Sequence, residues 1–260
     1  MELMTVPGAT HFYKYKAPPH NLEWLRDTIV RHQLYFPLPR ELNDPAEARP
    51  LLDISADESE RFLYRQWCKE NPSASKDDAE QALEDIREGI ALMGPDKFYG
   101  RMIDGLHEKY ARRRIFSLSK RWDNMSMWAK YAADHRGYCL EFANAGLFAA
   151  QFTGEVEYVD AVAVNPSDES ELGKFYFRKK RDWSNEEEVR VLSPRNVAPI
   201  VTIDPVLLTR IILGKAMTGD LRAQIVQWAQ ERNPQLVVQR AEYDPNKQAL
   251  RLVEQTASSS

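Results

Sequence analysis

The chain has 260 residues, enough for one large domain with a sizeable core, and its 43% hydrophobic and 28% charged residues are ordinary for a soluble globular protein. A formal net charge of −4 excludes binding to nucleic acid by bulk positive charge, though not through local patches. Cys68 and Cys139 sit outside any CxxC or Cys/His ligand set, the start MELMTVPGATHFYKYK lacks a signal-peptide core, and no apolar run nears the ~18 residues that cross a bilayer; free thiols, a cytoplasmic location, no metal and no membrane are expected.

HFYKYK (His11 to Lys16) alternates as a strand does, and Pro18 and Pro19 end it. Asn21 is placed to cap a helix with Leu22, Leu25, Ile29 and Val30 on one face. A short strand is expected in Gln33 to Pro39, then a loop from Arg40 to Pro50 with a turn at Asn43 and Asp44. From Ser55 to Arg112 the pattern changes to helical spacing, opened by the capping box Ser55/Glu58 and a similar pair Ser75/Asp78. This stretch predicts a helical insertion serving as a lid or a partner surface.

Strand character returns at Arg114 to Ser119. A helix over Met125 to Ala133 follows, then a strand at Tyr138 to Phe142, a short helix over Ala145 to Phe152 and a strand at Glu155 to Val159. Ser170 to Trp183 reads as a helix that is basic at its end. Strands are expected at Glu187 to Leu192, Pro199 to Ile203 and Thr209 to Leu213, a helix at Thr218 to Arg232, and two closing strands around a turn at Asp244 to Asn246. The sum is one α+β domain over residues 1–254, with a central mixed or antiparallel sheet, residues 55–112 inserted and 255–260 a disordered tail. Neither GxGxxG nor GxxxxGK[ST] occurs, which argues against Rossmann and P-loop sites.

Chemistry is concentrated in four places. In RDWSNEEEVRV (Arg181 to Val191), a strand from Glu186 would put Glu186, Glu188 and Arg190 on one face and Glu187 on the other. Such a face is either a solvated ion-pair ladder or a carboxylate site in a cleft. In FSLSKRWDNMSMWAKYAADHRG (Phe116 to Gly137), Ser117 and Ser119 share a strand face, and Trp128 and Tyr131 lie a turn apart on the next helix, as core or as a pocket wall. His135 is a turn residue or a base. Lys14 and Lys16 share a face, either guarding a sheet edge or binding pyrophosphate. Asn43 and Asp44 hold an Asx-turn or contact a ligand.

FYKYK, LYFPLPRELNDPAE, FSLSKRWDNMSMWAKYAADHRGYCLEF and DWSNEEEVRV together resemble a bacterial family of unknown function, over most of the chain. The family pattern runs KYR, LYFSSPxxFNDPFE, SLS, MWSHYAxxHxGxxxxF and WxxExExR. A second resemblance is to ADP-ribosyltransferases of the Arg, Ser-x-Ser, Glu-x-Glu type, whose motifs follow the same chain order. That likeness implies NAD as substrate, no metal, and a protein or nucleic-acid acceptor that cannot be named from the sequence. It further implies Lys14 or Lys16 on the phosphates, Ser117 and Ser119 placing the nicotinamide side, and Trp128 or Tyr131 stacking. Glu188 would hold the ribose, with Glu186 and Arg190 beside it. The departures are lysine for arginine, Leu118 for the usual threonine and a long gap from Ser119 to Glu186. NAD consumption of this kind fits a toxin or phage-defence role. The rival expectations are a non-catalytic ligand-sensing or protein-interaction module and, behind it, a metal-dependent nuclease. Glu188, facing a cleft, is expected to tolerate glutamine at a stability cost within about 0.5 kcal/mol.

Overall fold

A computed structural model of the chain describes residues 9–43, 50–144, 152–195 and 197–254. The helix expected over Ala145 to Phe152 lies outside the described residues except for Phe152, which begins a strand instead, and Asp44 and the expected tail lie outside them altogether. The fold is α+β with a large mixed sheet. The chain divides into two compact units, one of residues 1–37, 114–156 and 182–260, the other of residues 38–113 and 157–181.

The first unit is built on eight strands: β1 (His11–Lys16), β4 (Arg113–Ser119), β5 (Tyr138–Ala143), β6 (Phe152–Glu155), β10 (Glu188–Arg195), β12 (Leu208–Leu213), β13 (Val237–Asp244) and β14 (Ala249–Glu254). Across the sheet they run β14-β13-β12-β5-β1-β4-β10-β6. β12 and β13 pair in parallel, whereas β1 pairs antiparallel with β4 and β5. β2 (Gln33–Tyr35) and β11 (Ile200–Thr202) form a separate ribbon.

Alternation along these strands divides the side chains between two faces. On one face Phe12, Phe116, Leu118, Leu140, Phe142, Val189, Val191, Ile211 and Leu213 form a core with α1 (Leu22–Ile29) and α7 (Gly219–Glu231). α1 begins where Asn21 accepts the Glu23 amide at 2.9 Å, and it buries Leu25 and Ile29 while Leu22 stays exposed. On the other face Tyr15, Cys139, Ile212, Ala241 and Leu250 pack with Met127 and Trp128 of α5 (Met125–Tyr131).

Gly214 shows how closely the strand ends approach the turn before β5. A β-carbon at Gly214 would lie 2.0 Å from the His135 carbonyl oxygen and 2.7 Å from that of Gly137. Gly214→Ala should therefore destabilise the protein by about 1–3 kcal/mol, because backbone rather than a side chain must move. Urea unfolding measures this, and an unchanged midpoint would contradict the contact.

The second unit contains α2 (Ala56–Glu70), α3 (Lys76–Met93) and α4 (Pro95–Tyr110), so Ser55 to Arg112 is the helical excursion its periodicity predicts. Both capping boxes form, with Ser55 and Ser75 accepting the amides of Glu58 and Asp78. Phe62, Met102 and Leu106 join Ile54 in its core. β3 (Leu51–Leu52) pairs with β8 (Ala163–Val164), and β7 (Glu157–Val159) with β9 (Arg178–Lys180).

Ser170 to Trp183 corrects the sequence expectation. Only α6 (Glu169–Leu172) is regular helix, and tight helical turns and β9 follow it. Phe175, Tyr176 and Phe177 are all buried, and three consecutive buried side chains fit no single helix face. Phe175 stacks on Tyr110 at 4.2 Å, and the Tyr176 hydroxyl donates to the Tyr110 carbonyl at 2.6 Å. Tertiary partners, not local periodicity, set this segment.

Candidate functional site

The strands that carry the predicted motifs are neighbours. β1, β4 and β10 lie side by side in the sheet, though their motifs are far apart in sequence. The Lys120 amide donates to the Glu187 carbonyl at 3.1 Å, and the Arg114 amide to the Ser193 hydroxyl at 3.1 Å. These contacts run β4 and β10 antiparallel, with Ser119 and Glu188 at the same end. Phe116 and Leu118, like Val189 and Val191, belong to the α1/α7 core, so Ser117, Ser119, Glu188 and Arg190 share the opposite face.

Glu188 and Arg190 are 4% and 0% exposed. Arg190 Nε and Nη2 donate to the two carboxylate oxygens of Glu188 at 2.8 and 3.0 Å, a bidentate pair removed from water. The expectation of a water-facing Glu188 is corrected here: the strand does put both side chains on one face, but that face is buried at both positions.

Glu186 departs from the expected alternation. It ends the tight helical turn Arg181–Glu186, Glu187 takes φ +45°, and β10 starts only at Glu188. The turn is stitched to the start of α5. Asn124 accepts the amides of Ser126 and Met127 at 3.0 and 3.2 Å and donates to the Asn185 carbonyl at 2.5 Å. Asn185 returns a bond to the Ser126 hydroxyl at 3.0 Å. Glu186 is thereby aimed at α5, where Tyr131 donates to its Oε1 at 2.6 Å and Lys130 Nζ lies 3.3 Å from the same oxygen. The Lys130 ammonium also sits 3.3 Å from the centre of the Trp183 ring and 5.1 Å from that of Tyr131. Neither Lys130 nor Trp183 was singled out by sequence; their flanking positions beside Tyr131 and the glutamate run are the signal that was available.

Tyr131→Phe removes the shortest bond to a carboxylate that is 4% exposed. It should cost about 1–2 kcal/mol, because Lys130 retains part of the compensation. Thermal unfolding checks it, and no change would mean that water replaces the hydroxyl.

A polar row continues across the sheet. Ser119 pairs with Tyr13, Tyr13 with Glu141, and Glu141 with Arg210 in strand register. Ser119 and Glu141 are buried, and Thr209 donates to Glu141 at 2.9 Å. Burial, and then the Glu141 carboxylate, raise the Tyr13 hydroxyl well above the usual tyrosine value. Of this row only Ser119 was a sequence candidate; Tyr13, Glu141 and Arg210 were missed, because they lie on different strands and only the register brings them together.

Other expected residues lie elsewhere. Lys14 and Lys16 alternate with Tyr13 and Tyr15, so they share Phe12's face, opposite Glu188. Lys14 donates to the Ser117 carbonyl at 2.6 Å and lies over Phe116, while Lys16 is exposed. The expectation that the lysine pair and Glu188 line one cleft is corrected by this alternation. Trp128 is fully buried, edge-on to Tyr15 at 5.3 Å and stacked on His135 at 5.5 Å, which leaves Tyr131 as the aromatic nearer the carboxylates. His135 lies in a left-handed turn with Ala133 and Asp134, and burial, then Lys215, lower its pKa. Asn43 belongs to the second unit. Among the described residues no cluster of three His, Cys, Asp or Glu could hold a metal ion, and no helix is long and apolar enough to cross a membrane. Comparison with protein-family models, curated proteins and solved structures finds no match.

Proposed function

We propose that this protein is an ADP-ribosyltransferase-like enzyme that splits NAD and transfers ADP-ribose to a macromolecular acceptor, a protein or a nucleic acid. The observation that carries this is the adjacency of β4 and β10, which sets Ser119 beside Glu188 on one face with Glu186 at its edge. When the ribose–nicotinamide bond breaks, its electron pair leaves with the ring, which departs as neutral nicotinamide, and positive charge develops at the sugar. The acceptor then bonds to that carbon and gives up a proton. Glu188, held by Arg190, supplies fixed negative charge for the sugar, and a preorganised carboxylate needs no reorientation as the charge grows. Glu186 orients the acceptor or takes its proton. With Lys14 and Lys16 on the other face, neutralising the diphosphate falls to Lys130 and Arg121, both substantially exposed.

The saturation of Glu188 by Arg190 favours a second reading, a non-catalytic ligand-sensing or protein-interaction module. NAD labelled on its adenylate half, incubated with protein and cell lysate, separates the two. An enzyme places the label on macromolecules and frees nicotinamide. Intact NAD after long incubation supports the module.

A further inference from the structure

The turn that links α5 to β5 holds an unfavourable backbone conformation. Ala133, Asp134 and His135 all take positive φ, at 49°, 53° and 63°, and none of them is glycine. A β-carbon crowds the backbone in this left-handed region, so three such residues in a row persist only where neighbouring contacts hold them. The Asp134 and Gly137 amides donate to the Ala129 and Ala132 carbonyls at 3.1 and 2.8 Å, and the Ala216 amide donates to the His135 carbonyl at 3.0 Å. The other contact is the His135 ring. It is 7% exposed and lies against Trp128 only 7° from parallel, and its Nδ1 is buried without a hydrogen-bond partner among the described residues. Trp128 is fixed independently, since its Nε1 donates to the Trp122 carbonyl at 2.7 Å.

The charge on the ring decides whether it can stay there. A neutral imidazole has one nitrogen without a proton, whereas an imidazolium carries a proton on both. Nδ1 would then be a buried donor with no acceptor. The Lys215 ammonium, in the loop after β12, opposes the added charge. Asp134, in the turn itself, favours it, with Arg136 3.8 Å from that carboxylate. The Trp128 face also favours a cation. Burial outweighs these, and Lys215 acts in the same direction, so the closed turn holds the His135 pKa below its ordinary value.

We propose that the turn at residues 133–135 is an acid-sensitive latch for α5, closed while the His135 ring is neutral and opened locally when a proton drives that ring off Trp128. The closed turn keeps its full stability above the ordinary histidine pKa of about 6.5 and loses stability as pH falls below it, because the open turn binds the proton more readily. α5 ends at Tyr131, whose hydroxyl donates to Glu186 at 2.6 Å, so the latch couples proton concentration to the setting of Glu186. The latch does not depend on NAD chemistry.

Hydrogen exchange of the full chain, read by mass spectrometry and corrected for the intrinsic effect of pH, tests this. Exchange of the amides of residues 132–138 should rise at least about threefold from about pH 7.5 to about pH 5.5, relative to those of α7, which report wider unfolding. His135→Asn tolerates the left-handed conformation and cannot titrate, so it should abolish the rise. His135→Phe, which keeps a ring against Trp128, should do the same. Lys215→Ala changes an exposed side chain and removes a charge that opposes the imidazolium, so the rise should shrink; this variant decides the matter if neither His135 variant folds. No rise in the wild type, a rise that survives in the His135 variants, or an undiminished rise in Lys215→Ala overturns the latch.

Discussion

Replacing Arg190 by methionine is expected to destabilise the protein by about 3–5 kcal/mol, because removing one partner of a desolvated ion pair leaves the other charge buried. Arg190 is fully buried, and two of its nitrogens are committed to Glu188. Methionine fills comparable volume, so the loss comes from the orphaned carboxylate rather than from a cavity. The double variant Arg190→Met, Glu188→Leu should recover most of it, since exchanging a whole buried pair for apolar side chains is often neutral. Urea denaturation at neutral pH, with an unchanged slope, measures both. A single variant within about 1 kcal/mol of wild type would show that water reaches the pair, and a double variant as unstable as the single one would refute the orphaned-charge explanation.

Glu188→Gln is expected to reduce NAD cleavage by about 100-fold or more, since the amide keeps size and hydrogen bonding but removes the charge that the sugar cation needs. The burial of Glu188 changes one consequence that its sequence position suggests. A cleft-facing glutamate would tolerate glutamine at almost no cost, whereas this one would leave the Arg190 guanidinium without its counterion, so about 2 kcal/mol or more of stability is forfeited. Turnover is therefore compared well below the unfolding transition. Glu187→Gln is the control. That side chain is 39% exposed and lies 3.7 Å from Arg121, a surface pair of small value, and the variant should keep both activity and fold. Equal loss in both variants would mean that position 188 has no special role.

How far the sequence was legible depends on how local each signal is. β1, α1, the capping boxes of α2 and α3, and α7 are written in the spacing of a dozen residues or fewer, and they stand where that spacing puts them. The parity of Ser117 with Ser119 and of Glu188 with Arg190 follows from strand alternation alone. What failed was information carried across the sheet. Alternation on β1 also separates Lys14 from Tyr13, but only the register with β4 and β5 shows that Tyr13 faces Ser119 and Glu141. The positive φ of Glu187, which moves Glu186 off the strand, has no glycine to announce it. The contact of Lys130 with Trp183 forms only once Asn124 and Asn185 have joined helix to turn, and no periodicity encodes that junction.

The most direct measurement is of NAD with the wild-type protein: calorimetric titration of binding, followed by chromatographic detection of free nicotinamide with and without cell lysate. A transferase built on Glu188 predicts saturable binding and nicotinamide release that is slow alone and faster with lysate. No binding heat and no nicotinamide in either condition would contradict it.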